Sequence, residues 1–354
     1  FLERESRRPA WHGLGQTIQE DENVTVSQAM DILTIDYSID QYETFFTAKD
    51  KYGLLQSFPT GKVVNVRSAT GDEDPLVLGT VSKGFKMIQP LDLAAKLDPI
   101  SEQMKIETIG SLRKGKGLFF TFRVENVSKI AGEDHVLYWL VYDSYDGSGS
   151  LTMSFVPVRV VCQNTLNAAL DSSKLSVDIP HTGRHEEDAD LFTKVFAQMS
   201  GVQDRVVEEM NFMSDSKHRL MRPDVDWILF QAYPNAPKPR SLSYTGEITP
   251  DDVDADLYAS VEERNNESKM QWNKDQQTIL SHREGALYAY DIFNNEFPHL
   301  ARTPWAIYNA VVETEDFRKG LSPEGNMTTF IKGDRVATKQ KAYSAALELA
   351  SRKN

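Results

Sequence analysis

One cysteine, Cys162, stands alone in 354 residues, which excludes an internal disulfide and a multi-cysteine zinc site and suits a reducing compartment. No run of about 18 apolar residues occurs, so no helix is expected to cross a membrane. The first segment, FLERESRRPAWHGLG, has no apolar core of the kind a signal peptide needs, and the expectation is a protein that is not exported. Also missing are the phosphate-binding G-x-x-x-x-G-K-[ST], the dinucleotide fingerprint, the G-x-S-x-G elbow and H-E-x-x-H. An excess of basic charge is absent too: the formal net charge is −13, which argues against a protein that simply coats duplex DNA. The acidity is concentrated between residues 186 and 300, whereas residues 105–185 are close to neutral and carry local basic clusters. No internal repeat or low-complexity tract is seen.

What the chain does contain, at 40% hydrophobic residues, suffices for a proper core. Thr25 and Gln28 form a capping-box pair ahead of Val26, Ala29, Met30 and Leu33 at helical spacing, which predicts a helix. The period then changes: Tyr37, Ile39, Phe45 and Phe46, then Val63 to Val66, then Leu76 to Val81 predict strands, the last two separated by the turn-forming Ala69 to Pro75. Pro90 to Leu97 predicts a short helix with proline in its first turn. Four strands follow in quick succession: Ile106–Leu112, Leu118–Val124, His135–Tyr142 and Leu151–Val161. Their short connections predict an antiparallel meander, and the last strand runs into a predicted central helix over Gln163–Leu170. Glu186 to Met213 reads as a long amphipathic helix. The prolines between Tyr233 and Pro250 mark a loop or linker, and Asp251–Glu267 reads as a solvated acidic stretch. The remainder to Ala350 is mainly helical. The fold class expected is therefore α+β, with a core domain over residues 1–185 and a mainly helical region over 186–354.

Three constellations are candidates for function. The first is basic: Arg113, Lys114 and Lys116 in the turn between two strands, with Arg123 and Arg159 on neighbouring strands. Were Arg123 and Arg159 to meet on one face near Phe119, Phe120, Tyr138 and Trp139, charge would track phosphates while rings stack on bases, as single-stranded nucleic acid requires. The second is the strand-to-helix junction, where Cys162 points into the core and the amides of Gln163, Asn164 and Asn167 need partners. Those partners are either the adjacent backbone or a ligand, a strand of nucleic acid or a neighbouring subunit. The third is His181, Arg184 and His185. Two histidines four apart can ligate a metal on a helix, but Pro180 and Gly183 argue for a loop. No cofactor is called for.

Four motifs, in order, resemble a phage- and plasmid-related family whose shared domain has no assigned function. They are PAWHGLG (Trp11, His12, Gly13, Gly15), ETIGSLRKGKGLFFTFRV, RVVCQNTLNAAL followed by His181 and Thr182, and TPWAIYNAVVE (Thr303, Trp305, Asn309, Ala310, Glu313). The resemblance implies a mobile-element origin, in a tailed bacteriophage, and work in the bacterial host cytoplasm. It transfers no catalytic residues. A meander followed by a packed helix is also similar, at the level of topology, to the core of ring-forming single-strand annealing recombinases of the Redβ type. The leading expectation is thus a homo-oligomeric ring or filament that binds and anneals single-stranded DNA without nucleotide hydrolysis, through Arg113, Lys114, Lys116, Arg123, Arg159, Asn164 and Asn167. The alternatives are a metal-dependent enzyme acting on nucleic acid or nucleotides around His181 and His185, and a structural or host-interaction protein whose acidic helices dock a bacterial target.

Overall fold

A computed structural model describes residues 2–4, 16–18, 23–71, 73–124, 128–159, 176–182, 191–239, 255–316 and 333–353. Within the first half the chain builds β1 (Leu2–Arg4), β2 (Gln16–Ile18), α1 (Val26–Ile32), β3 (Ile39–Lys49), β4 (Leu55–Arg67), β5 (Leu76–Ser82) and α2 (Pro90–Ser101). There follow β6 (Lys105–Leu112), β7 (Gly117–Arg123), β8 (Ser128–Ile130), β9 (Glu133–Ser144), β10 (Leu151–Arg159) and β11 (Ser176–Ile179). The second half is α3 (Leu191–Ser214), α4 (Arg222–Ala232), α5 (Ala255–Glu296), α6 (Pro304–Asp316) and α7 (Asp334–Arg352). Two compact units result, Phe1–Phe212 with Lys319–Gln340, and Met213–Arg318 with Lys341–Asn354. The protein is α+β, with antiparallel sheets ahead of a largely helical C-terminal half.

The large sheet of the first unit runs β11-β10-β9-β7-β6-β1-β2, with β8 paired to β9. The stretch from β6 to β10 is the expected antiparallel meander, interrupted only by the short β8 ribbon. Register divides its side chains. Phe120 faces Val141 and Phe122 faces Trp139 across β7 and β9, and paired residues share a face. Over that face close Val26, Ala29 and Met30 of α1 and Leu93, Ala94 and Leu97 of α2, all fully buried in one cluster with Phe120, Phe122 and Trp139. Each of the larger side chains, Val26, Met30, Leu93 and Leu97, contributes roughly 1.5–3 kcal/mol on burial. The capping box that starts α1 forms as the sequence indicates, with Thr25 accepting from the Gln28 N–H and Gln28 accepting from the Thr25 N–H. Ser27 ties α1 to α2 through Asp98, by its N–H at 2.9 Å and its hydroxyl at 2.6 Å. Asn211 of α3 grips the β8–β9 turn, donating to the Lys129 carbonyl and accepting from the Ala131 N–H.

The second sheet is β3-β4-β5. It is fastened to the large sheet where buried Asn65 donates to the Tyr145 carbonyl at 2.6 Å, and where a Cβ on Gly79 would run into the Asp146 backbone. Glycine is needed there for close approach. β5 backs only Lys62–Arg67 of β4. Beyond that point β3 and β4 continue together as a hairpin arm.

In the second unit α6 is the core element, its face from Pro304 to Val312 buried throughout. Trp305 lies 5.9 Å from Tyr308, and Tyr308 meets Tyr343 edge-on at 5.3 Å. The loop after α4 is held to α5 by Arg283, whose guanidinium donates to the Tyr233 carbonyl at 3.0 Å. The acidic stretch read as solvated is helix from Ala255 in α5, and Glu263, Arg264 and Glu267 are exposed there. No helix among the described residues is long and apolar enough to cross a membrane. The predicted central helix at Gln163–Leu170 lies outside the described residues.

Candidate nucleic-acid interface

The β6–β7 turn carries the first of the predicted basic residues, and its backbone is unusual. Arg113, Lys114 and Gly115 take φ of 51°, 58° and 96° in succession, a left-handed path that costs a non-glycine residue about 1–2 kcal/mol. The tightness of the connection explains it: Leu112 already pairs with Gly117 across the two strands, and the chain must reverse between them. The turn is seated against the end of the small sheet where Ile39 pairs with Arg67, opposite to the arm, because a Cβ on Gly115 would stand 2.9 Å from Arg67 Cδ and 3.1 Å from the Tyr37 hydroxyl. Arg67 is itself buried there, with Glu73 Oε2 at 2.6 Å and the Tyr37 ring under its guanidinium. That guanidinium holds the Glu73 carboxyl below the usual carboxylate range.

The three cations of the turn have different fates. Arg113 is half-exposed and paired, its Nη1 3.1 Å from Asp146 Oδ2, and it interacts with Tyr142, whose hydroxyl is nonetheless pushed up by burial. Lys114 is exposed and Lys116 half-buried, and among the described residues neither forms an ion pair. The turn therefore presents two lysines rather than three cations.

Arg123 and Arg159 are not brought together. Arg123 pairs with Tyr138, and Arg159 with His135, along one uninterrupted β9 register. Positions 135 and 138 are three apart on a strand whose faces alternate, so the two arginine positions belong to opposite faces of the sheet. The aromatic partners are also placed otherwise than expected: Phe119, Phe120, Tyr138 and Trp139 are all buried. Burial, with Glu107 nearby and Arg123 opposing, drives the Tyr138 hydroxyl well above its ordinary value. These rings are core. Asn164 and Asn167, with Cys162 and Gln163, lie outside the described residues.

His181 is buried against the large sheet. Its Nε2 stands 3.0 Å from Asp143 Oδ1, its Nδ1 3.1 Å from the Lys86 carbonyl, and its ring 4.4 Å from that of Phe85. Both nitrogens face oxygens of the fold. Among the described residues no group of three His, Cys, Asp or Glu side chains is placed to hold a metal ion; His185 is outside them. In the second unit a depression is lined by Pro237, Pro239, Gln271, Trp272 and Asp275. Its best donor, the Trp272 indole N–H, already serves the Ala236 carbonyl at 3.1 Å.

The feature that residue patterns did not reveal as a surface is the arm. Tyr42, Phe45, Phe46, Tyr52, Leu54 and Leu55 are exposed; of these, strand propensity marks Phe45 and Phe46, which lie in β3. The readable signal was the Phe45-Phe46 doublet: adjacent strand residues point to opposite faces, so one ring of the two must leave any single core.

The fold and this surface define a mixed α+β protein with a lysine-bearing turn and a β-ribbon that continues beyond the small sheet. The chain belongs to the family described as a domain of unknown function (DUF932), whose model matches residues 77–341. No curated protein and no solved structure matches it. The family match begins in β5, so the whole arm precedes it.

Proposed function

We propose that the protein binds single-stranded DNA and promotes annealing as a homo-oligomer, without nucleotide hydrolysis, in the service of a phage or related mobile element in a bacterial cytoplasm. The observation that carries this reading is the left-handed basic turn. Two consecutive cationic residues stand where glycine would be easier, and Lys114 is exposed, its charge felt by the Glu73 carboxyl but forming no ion pair among the described residues, in a chain of net charge −13. Strain retained at an exposed site points to use of that site. The meander topology and the four sequence motifs support the same reading. The metal-dependent alternative draws no support from His181, whose nitrogens are directed at Asp143 and Lys86.

Anisotropy titration of a labelled oligo-dT over a salt series tests it. Binding at low salt is expected, with Lys114→Ala and Lys116→Ala each weakening it and flattening the salt dependence by about 0.7 in log–log slope, as loss of one phosphate contact on a single strand requires. A wild-type chain that leaves the oligonucleotide free at low salt overturns the reading. Acceleration of complementary-strand annealing without ATP is the companion assay.

A further inference from the structure

Beyond Glu43 the arm leaves the support of the sheet. Its pairing shifts between Glu43 and Phe45, opposite Thr60–Lys62, where the hydroxyls of Thr44 and Thr60 meet and Gly61 takes φ 77° with open space around it. From Phe45 to Pro59 the ribbon pairs only with itself among the described residues. A lone hairpin is marginal in water, yet this one has a built tip. The Asp50 carboxylate accepts from the Tyr52 N–H at 2.8 Å, the Leu54 N–H at 2.9 Å and the Gln56 amide at 2.8 Å.

Rings occupy both faces. The Phe46↔Phe58 pair marks one and the Phe45↔Pro59 pair the other, and Phe46 stacks on Phe58 with centroids 5.5 Å apart. Phe45 is 57% exposed, Phe46 51% and Tyr52 75%. An apolar patch of this kind marks a binding surface, and charge selects the occupant. Lys49, Lys51 and Lys62 are exposed and form no ion pair among the described residues, Lys51 Nζ lying 4.9 Å from the centre of the Tyr52 ring, whereas nearby Lys83 is matched by Glu43 at 2.6 Å. The acidic residue closest to the tip lysines, Asp50, is engaged by the turn. The core of a protein–protein patch is depleted of lysine; rings interleaved with unmatched lysines suit a flexible polyanion whose flat faces are open, and only a single strand offers those.

We propose that the β3–β4 arm is the stacking platform for single-stranded nucleic acid, Phe45, Phe46, Phe58 and Tyr52 meeting bases while Lys49, Lys51 and Lys62 meet phosphates. The inference rests on the single-strand-binding reading above and deepens it by moving base contact from the meander to the arm.

The full chain is titrated with oligo-dT, oligo-U and a blunt duplex, alongside Phe45→Ala, Phe46→Ala, Tyr52→Ala and the pair Lys49→Gln with Lys51→Gln. Loss of one platform is expected to weaken single-strand binding roughly five- to a hundredfold at unchanged salt slope, whereas the lysine pair lowers the slope by about 1.4 and the duplex binds poorly throughout. Phe46→Trp should retain affinity, and circular dichroism should be unchanged because the rings are exposed. If wild type binds and the ring variants bind equally well, the arm inference fails while the reading stands; if wild type does not bind, both fall. Ring variants that sediment as smaller particles with single-strand affinity per chain intact would assign the arm to a second copy of the chain and overturn the proposal. The two oligonucleotides decide between DNA and RNA as the source of the strand.

Discussion

At the scale of the residue, the turn at Arg113–Gly115 sets local stability against use. Lys114 sits at φ 58°, where a Cβ is penalised and glycine is not. Lys114→Gly should therefore raise stability, by about 1 kcal/mol at most once the larger unfolded-state entropy of glycine is subtracted. At about 2–4 °C per kcal/mol for a unit of this size, the melting temperature should rise by roughly 2 °C. The same substitution removes an exposed cation, so oligonucleotide affinity should fall as is expected for Lys114→Ala, whose melting temperature should not rise. Melting curves and titrations on the two variants separate the effects, and a Lys114→Gly protein that is less stable than wild type would show that the left-handed turn carries no strain. Arg113 beside it needs the opposite description, since its link to Asp146 makes it part of the fold.

At the scale of the element, local signals proved readable and face assignments did not. The Thr25–Gln28 box and the proline at the start of α2 are short-range chemistry, and both fall where the residues place them. The meander followed from turn lengths alone. Which face Phe119 or Phe120 occupies did not follow, because β9 is buried on both sides from His135 to Ser144 and shows no polar alternation to read. The placement of Arg123 and Arg159 failed for the same reason, since a one-residue difference in register transfers a side chain to the other face. The candidate site was thus half legible: the lysines of the turn were visible, and the rings were sought in the core when the exposed ones are on the arm. α4 allows a test at this scale. Partial burial works against the Asp224 carboxylate, but Lys353 Nζ at 2.7 Å and the Met221 N–H at 2.8 Å outweigh it and lower its pKa. A lowered folded-state pKa gives stabilisation that is complete above the unfolded value, near 4, and is lost as pH falls through the folded one. Hydrogen exchange at the first turn of α4 should quicken below about pH 4, and Asp224→Asn should show fast exchange at every pH. Protection in wild type that persists unchanged to pH 2 would remove this carboxylate from the helix start.

At the scale of the whole molecule, the lysines proposed to hold phosphates belong to a chain of net charge −13, and the two charges act over different distances. Contact attraction at Lys49, Lys51, Lys62, Lys114 and Lys116 is short-range and, for five phosphates on a single strand, implies a log–log salt slope of about −3.5. Repulsion from the acidic remainder reaches a bound strand only while the Debye length is long, about 30 Å at 0.01 M salt against about 10 Å at 0.1 M. Affinity should therefore fall along the full slope above 0.1 M and flatten toward low salt, where the body begins to oppose the lysines. Like-charged copies of the chain repel under those same dilute conditions, so a homo-oligomer should be larger, by sedimentation, at 0.15 M salt than at 0.01 M. Annealing joins two strands and needs more than one copy close together, which couples the two curves: annealing rate should peak at intermediate salt, where particles are assembled and strands still bound. A steep straight binding line down to 0.01 M would show that the acidic body is not felt by the strand, and a monomer at every salt concentration would leave annealing without the assembly it requires.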